Sequence, residues 1–197
     1  MALFDRFRKQ KATPPRRRSY AGANTGRLFA DFLSSTRSSD SELKPALRII
    51  RNRCRELARN DEYVRRYLGL LKTNVVGPTG VNLQAKARNA DGSLDAPGNK
   101  IVENAWGAWG KRGQCTADGR LSFVDAQRLF VEALARDGEV LVRFVDGFDN
   151  RDRFAIEFVE ADLLDEELNA KAENGNRIRM GVEVDDFGKA VAYHLLR

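Results

Sequence analysis

Residues 55–81 read RELARNDEYVRRYLGLLKTNVVGPTGV, and this stretch decides how the helical half of the chain folds. Asn60 ends one helix. Asp61 can begin the next, because an aspartate side chain accepts a hydrogen bond from a free amide of the first turn. Gly77 and Pro78 then stop the second helix in a sharp turn. The pattern predicts two consecutive helices that are closed by a glycine turn.

The first of these helices is predicted to run from about Glu42 to Arg59, with Pro45 tolerated in its first turn. One face carries apolar residues at helical spacing, namely Leu47, Ile50, Cys54 and Leu57. A second face carries an arginine stripe, which we define as Arg48, Arg51, Arg55 and Arg59. Three interpretations of the arginine stripe stay open: it contacts nucleic-acid phosphates, it pairs with acidic residues of this or a neighbouring chain, or it is a solvated face.

The second helix and the segment after it are predicted from their apolar spacing. The helix places Val64, Leu68, Leu71 and Val75 on one side, and Val81 and Leu83 then alternate as a short strand does. Asp95 can cap a third helix, whose apolar face holds Ile101, Val102, Ala105, Trp106 and Trp109. Two tryptophans at this spacing can stack on bases, but the spacing is more typical of a hydrophobic core.

The last part of the chain combines one helix with strands. Ser122 and Asp125 form a variant of the capping box. The helix that they open is predicted to bury Phe123, Ala126, Phe130, Ala133 and Leu134 and to end at Gly138. Strands are predicted over residues 139–145, 154–159, 178–184 and 190–196. The fold class is therefore predicted to be α+β, with N-terminal helices followed by a mixed body of helices and antiparallel strands.

The amino-acid composition limits the class of protein to which this chain can belong. Hydrophobic residues make up 42% of the chain, which is enough for a core, and no stretch has the uninterrupted apolar length that a membrane span needs. The N-terminus lacks the apolar block of a signal peptide. We therefore expect no membrane partner. Cys54 and Cys115 are predicted to be a buried thiol and a loop thiol, with a disulfide or a metal pair as the alternative.

Charge is distributed unevenly along the chain. Residues 1–20 hold seven basic residues and one acid, residues 44–72 hold nine bases and three acids, and residues 118–197 hold 11 bases and 18 acids. This polarity predicts three parts: a basic arm and linker over 1–40, a mainly helical part over 41–116 and an α+β part over 117–197. The arm, which contains Arg16, Arg17 and Arg18, is predicted to be disordered.

The residues with catalytic or metal-binding potential lack the partners that such sites need. His194, the single histidine, has no nucleophile identified beside it and is predicted to be structural. Asp162, Asp165, Glu166 and Glu167 lack the glycine and ligand alternation of a calcium loop. We expect no catalytic residue, no cofactor and no metal. The candidate functional residues are Arg16, Arg17 and Arg18 together with the arginine stripe, for contact with DNA or a neighbouring subunit.

The order of these motifs resembles the lambda-like family of tailed-phage portal proteins. Beside residues 55–81, the similar blocks are Tyr20-Ala21 to Gly26-Arg27, the run from Trp106 to Arg143, IEFVEADLLD at 156–165 and GVEVDDFGKAVAYHLL at 181–196. No single block is decisive, because each one alone fits a capped helix or a turn. Their shared order from about Tyr20 to Leu196 is what makes the resemblance specific.

The resemblance implies a structural protein and not an enzyme. Family members form a ring, usually of twelve subunits, at one vertex of the phage capsid, and double-stranded DNA passes through the ring during packaging and ejection. Partners implied by the resemblance are the terminase, the major capsid protein and head-completion proteins. The implied location is the virion, with the host cytoplasm during assembly. Because family members are much longer, this chain is expected to be the N-terminal part of a subunit, incomplete at its C-terminus.

Two other functions stay open at this point. The chain could be a free-standing nucleic-acid-binding module that uses the basic arm and the arginine stripe. It could also be a metal-dependent hydrolase built on the acidic residues at 162–167.

Overall fold

The computed structural model describes residues 38–196, and their fold is α+β as predicted. The helices are α1 (Ser39–Leu43), α2 (Leu47–Asn60), α3 (Glu62–Leu71), α4 (Ala96–Trp109) and α5 (Phe123–Asp137), and a π-helical turn (Lys72–Val76) extends α3. Most of the predicted basic arm, including Arg16, Arg17 and Arg18, lies outside the described residues. The boundary between the predicted parts at residues 116 and 117 stays a prediction.

One predicted helix is divided into two. The expected helix from Glu42 to Arg59 is instead α1 and α2, separated by a turn at residues 44–46. The helix starts earlier than predicted, because the hydroxyl of Ser38 accepts from the amide of Ser41 and caps α1. If α1 continued into α2, Pro45 would lie in a helix interior, where its ring collides with a carbonyl of the preceding turn and it has no amide to donate. The helix is therefore interrupted at residues 44–46.

Local capping signals set the starts of α3, α4 and α5 and the end of α5 as predicted. The Asp61 carboxylate accepts from the amide of Val64 at 2.9 Å, and Asp95 caps α4 in the same way. At α5, Ser122 and Asp125 form the reciprocal capping box. Gly138 ends α5 with φ of 81°, a left-handed conformation that glycine adopts without strain.

Two antiparallel sheets follow α5. Strands β1 (Leu141–Asp146) and β2 (Phe154–Val159) pair with each other, and β3 (Ala170–Lys171), β4 (Arg177–Arg179), β5 (Val182–Val184) and β6 (Ala190–Tyr193) form a four-stranded sheet in that order. The predicted strand over residues 178–184 is broken by a turn at Met180 and Gly181, both with positive φ. A Cβ on Gly181 would lie 2.7 Å from the carbonyl oxygen of Asp165, so the backbone approach itself requires glycine.

The strand predicted at Val81 and Leu83 is wrong. This segment pairs with no strand among residues 38–196. Its backbone is held by a side chain instead: the amide of Val81 donates to Gln127 Oε1 at 2.7 Å, and Gln127 Nε2 donates to the carbonyl of Val81 at 2.9 Å. The side-chain amide of Gln127 thus makes the two hydrogen bonds to the backbone of Val81 that a neighbouring strand would otherwise make.

The hydrophobic core joins α4, α5 and β2. Its centre is formed by Trp109, Cys115, Ala126 and Ile156, with Trp106, Phe123, Val142, Phe154 and Phe158 packed around it. Trp109 is 5% exposed, and its indole Nε1 donates to the carbonyl of Phe154 at 2.9 Å. The prediction that Trp109 belongs to the core is confirmed, and Trp106 packs on it with a ring separation of 5.0 Å.

Several residues predicted to be buried are exposed. Ile101, Val102, Phe130 and Leu134 are between 39% and 69% exposed, although helical periodicity places them on the apolar faces of α4 and α5. The apolar faces of α4 and α5 are therefore wider than the area that the neighbouring helices and strands cover. Cys54 and Cys115 are both free thiols, and Cys115 is buried. No helix within residues 38–196 has the length and apolarity required to cross a membrane.

Candidate assembly and nucleic-acid interface

The structure divides the arginine stripe into two pairs. Arg51 is buried and Arg55 is half-buried, and both side chains turn toward the acidic C-terminal part of the same chain. Arg48 and Arg59 are exposed. Residues of one helix face therefore lie in two environments: Arg51 and Arg55 form ion pairs within the chain, and Arg48 and Arg59 are exposed. Contact of these residues with DNA or a neighbouring subunit stays a prediction.

Arg51 is the buried centre of an ion-pair network. Its side chain is 1% exposed and contacts three carboxylates: Nη1 lies 2.8 Å from Asp162 Oδ1, and Nη2 lies 2.7 Å from Glu166 Oε1 and also contacts Glu139 Oε1. Burial lowers the pKa of Arg51, but its hydrogen bonds to Asp162 and Glu166 outweigh this effect and raise the pKa above the usual value. Arg51 therefore stays charged and fixes α2 to the segments around β1 and β2.

Arg55 extends the network to the end of α5. Its Nε donates to Asp137 Oδ1 at 2.9 Å, Arg136 Nη2 lies 2.8 Å from Asp137 Oδ2, and Arg55 Nη1 contacts Asp162 Oδ2. An aspartate at a helix C-terminus is unfavourable beside the carbonyl ends of the helix. The two guanidinium groups remove this penalty, so Asp137 can be buried.

The charge state of Asp137 follows from these contacts. Burial raises the pKa of Asp137, but hydrogen bonds from Arg136 and Arg55 outweigh it and bring the pKa down to about 2. The ordinary value is 3.8, so the ionised form is stabilised in the folded state. The side chain is 5% exposed, and the shift corresponds to about 2 kcal/mol of folding free energy at neutral pH.

We expect this contribution to disappear on acidification. A lowered folded-state pKa gives stability that is complete above about pH 5 and is lost as the pH falls toward about 2. The difference in free energy of unfolding between the wild type and Asp137→Asn should therefore narrow by about 1 kcal/mol between pH 5 and pH 3. Urea unfolding of both proteins at pH 5 and at pH 3 measures this difference in free energy. A difference that does not change with pH would contradict the assigned pairing of Asp137.

Other cations of α2 and α3 remain exposed. This exposed arginine set is Arg48, Arg53, Arg59, Arg65 and Arg66. The ion pairs formed within residues 38–196 include none of its members, whereas Lys44 nearby pairs with Glu167 at 2.8 Å. After the intrachain pairs are formed, the α2–α3 region thus keeps an excess of positive charge at its surface.

Three of the four acidic residues considered as metal ligands contact basic side chains, and the fourth, Asp165, accepts from the backbone amide of Glu167. Asp162 and Glu166 contact Arg51, and Glu167 contacts Lys44. Across residues 38–196, no group of three or more His, Cys, Asp or Glu side chains is arranged to hold a metal ion. Asp162 and Glu166 are therefore positioned as ion-pair partners of Arg51.

His194 takes part in a separate polar cluster in the four-stranded sheet. Its Nε2 lies 3.1 Å from Glu183 Oε2, and Glu183 also accepts hydrogen bonds from Asn174 and Asn176. The hydrogen bonds from Asn174, Asn176 and His194 lower the pKa of Glu183, which is 7% exposed. The cluster ties β5 to β6 and to the turn between β3 and β4.

Sequence reasoning did not single out Arg51 from the rest of the stripe. A signal was present, because Arg51 follows Leu47 by four residues and precedes Cys54 by three, and such neighbours share a helix face. Leu47 and Cys54 are both partly buried, whereas Ile50 and Leu57 are 53% and 48% exposed. The buried face of α2 is therefore rotated from the apolar stripe toward Arg51.

Comparisons with known proteins identify the family to which this chain is similar. The family described as phage portal protein, lambda family, matches residues 25–197. A relative named as a probable portal protein, from Halomonas phage phiHAP-1, is 45% identical over 148 residues, which cover 75% of this chain and 29% of that relative. The chain thus spans under a third of the length of this curated relative. The extent of the family match shows that the chain belongs to the lambda family of phage portal proteins.

Proposed function

We propose that this chain is part of a structural subunit of a phage portal ring, the channel at a capsid vertex through which double-stranded DNA is packaged and ejected. The observation that carries the proposal is the family match over residues 25–197, which the portal-named relative supports at 45% identity. The assembly would be a homo-oligomeric ring of about twelve subunits in the virion. Its partners would be the terminase, the major capsid protein and head-completion proteins, which it meets in the host cytoplasm during assembly.

The charge pattern of the described residues supports a ring interface. Arg51 and Arg55 hold the fold together within one chain, whereas the exposed arginine set has no carboxylate partner among residues 38–196. A closed ring requires two different surfaces on each subunit, one that faces each neighbour. A basic α2–α3 surface on one subunit and an acidic surface on the next would satisfy this requirement.

The test of the ring is direct imaging. The gene product that contains this chain is purified and examined by electron microscopy, and its mass is measured in solution. We expect closed rings of about twelve subunits, as the family implies. A gene product that stays strictly monomeric under assembly conditions would overturn the proposal.

A second candidate function, nucleic-acid binding, is favoured by the exposed arginine set. Each phosphate contact contributes about 0.9 to the slope of log affinity against log salt. If Arg48 and Arg59 each meet a phosphate, we expect Arg48→Ala/Arg59→Ala to reduce this slope by about two for a short duplex. Fluorescence anisotropy across a salt series measures the slope.

The matched control removes the same charge elsewhere. Arg120→Ala/Arg153→Ala also deletes two exposed arginines, but neither belongs to α2 or α3. Equal effects of the two double variants would mean that only net charge matters, which would contradict a binding face on α2. A triple variant of Arg16, Arg17 and Arg18 tests the basic arm separately, and collapse of binding there is the result that the nucleic-acid interpretation requires.

A further inference from the structure

Side chains of α4 and α5 hold the backbone of residues 81–87 from one side. Three of them bond to backbone groups of this segment: Gln127 to Val81, Glu103 to Ala85 and Asn99 to Ala87. Asn99 is 7% exposed, accepts from the amide of Ala87 at 2.8 Å and donates to the carbonyl of Ala87 at 3.1 Å. The helices thus supply hydrogen bonds that a strand partner would otherwise supply.

The opposite side of this segment is open. In an extended chain every second residue directs its N–H and C=O groups to the same side. Residues 81, 85 and 87 direct theirs to the helices, so residues 82, 84 and 86 direct theirs away. The backbone groups of Asn82, Gln84 and Lys86 form no hydrogen bond with any part of residues 38–196, and all three residues are exposed. The segment therefore presents three successive positions of an unpaired strand edge.

The sequence of this edge leaves it able to pair. Natural proteins commonly block an open strand edge with proline, charged side chains or a bulge, because an open edge pairs with other chains. Residues 82–86 read NLQAK, with no proline and one charged residue, Lys86. The open edge is thus only weakly protected against the addition of a strand.

An apolar groove of about 590 Å³ borders the open edge. Asn82 and Leu83 form part of its wall, together with Phe144 and Phe158 of the two-stranded sheet. Phe144 is 73% exposed. A strand added to an edge gains affinity from backbone hydrogen bonds and specificity from pockets for its alternate side chains. The surroundings of this edge therefore suit a strand with apolar residues at alternate positions.

We propose that the edge formed by residues 82–86 receives an extended strand from the neighbouring subunit of the portal ring. Another extended backbone is the partner that matches alternating donors and acceptors at three successive positions. Because α4 and α5 already fix the segment, little backbone entropy is lost when the strand is added. The edge and the donated strand are different surfaces, so each subunit gives one strand and receives one, as a closed ring requires. The inference deepens the proposed ring and rests on it.

Proline at residue 84 tests the backbone contact. Gln84→Pro removes the outward N–H, and the fixed φ of proline suits an extended segment. Gln84→Ala removes the same side chain and keeps the N–H. In sedimentation velocity of the gene product across a concentration series, we expect Gln84→Pro to weaken ring assembly about 10-fold and Gln84→Ala to assemble as the wild type does. Equal assembly of all three proteins would overturn the proposal.

Thermal melting of the 197-residue chain separates the strand contact from folding. Gln84→Pro and Gln84→Ala should melt at the same temperature, because the amide of Gln84 donates to no group within residues 38–196. Ala87→Pro is the matched proline control: it removes an inward N–H that donates to Asn99 and should melt about 2–4 °C lower. If Gln84→Pro melts below Gln84→Ala, the amide has a partner inside the chain and the proposal is overturned.

Hydrogen exchange of the same chain, followed by NMR, reports the alternation directly. After correction for intrinsic rates, the amides of Val81 and Ala87 should exchange about 10-fold more slowly than those of Asn82 and Gln84. A uniform exchange rate along residues 81–87 would contradict an edge that is bonded on one side and open on the other.

The gene product distinguishes this inference from the proposed function. If the wild type forms rings and Gln84→Pro forms them equally well, the strand contact is overturned and the ring stands. If the wild type forms no ring, the portal function fails and the strand contact fails with it.

Discussion

Replacing Arg51 with alanine is expected to lower the free energy of unfolding by about 3–5 kcal/mol. The Arg51 side chain is 1% exposed and contacts Glu139, Asp162 and Glu166. Its removal leaves these carboxylates close together without their shared cation. Removing one partner of a buried ion pair is costly, because Glu166, whose side chain is 8% exposed, is left without a cation, whereas Asp162 keeps its contact with Arg55.

Urea unfolding of matched variants measures this effect. Arg53 lies on the same helix two residues away and is exposed, so Arg53→Ala should change the free energy of unfolding by about 0.5 kcal/mol or less. Arg51→Lys should give an intermediate loss, because an ammonium group cannot reproduce the planar fork of donors. If Arg51→Ala is no more destabilising than Arg53→Ala, the network does not hold α2 in place.

Replacing Trp109 with alanine is expected to cost about 3–5 kcal/mol of stability. Trp109 is 5% exposed and stacks with Trp106, Phe123 and Phe154 at ring separations of 5.0–5.6 Å. The substitution creates a cavity where α4, α5 and β2 meet. It also removes the indole hydrogen bond to the carbonyl of Phe154, which keeps a second donor in Asn150 Nδ2 at 2.8 Å.

Thermal and urea unfolding of three variants separate these contributions. Trp109→Phe keeps a ring and loses the indole donor, so its loss should be smaller, about 1–2 kcal/mol. Tyr63→Ala removes an aromatic side chain that is 88% exposed and should be close to neutral. Equal losses for Trp109→Ala and Tyr63→Ala would show that the core is centred elsewhere.

Short-range signals explain which parts of the fold were predictable. Asp61, Ser122 with Asp125, and Gly138 satisfy backbone groups that lie within about four residues of them, so the spacing of residue types is sufficient to place them. The order of the motifs along the chain likewise made the portal resemblance recognisable. Pro45 was misjudged because its effect depended on where α1 begins, which Ser38 sets.

Long-range contacts explain what was not predictable. Arg51 and Asp162 are 111 residues apart, and Arg55 and Asp137 are 82 residues apart. The periodicity of α2 showed four arginines on one face, but it could not show which of them would meet acids. The replacement of a strand partner by Gln127, 46 residues from Val81, has no local signal at all.

The sequence by itself determined the capped starts of α3, α4 and α5, the glycine end of α5 and the family, because each depends on residues that are neighbours along the chain or on their order. Only the tertiary structure decided that Arg51 and Arg55 become internal partners while Arg48 and Arg59 remain exposed. It also decided that the apolar faces of α4 and α5 surround an open groove. The physical reason is that burial and ion pairing depend on which distant segments pack together, and helical periodicity fixes only the direction in which a side chain leaves its own helix.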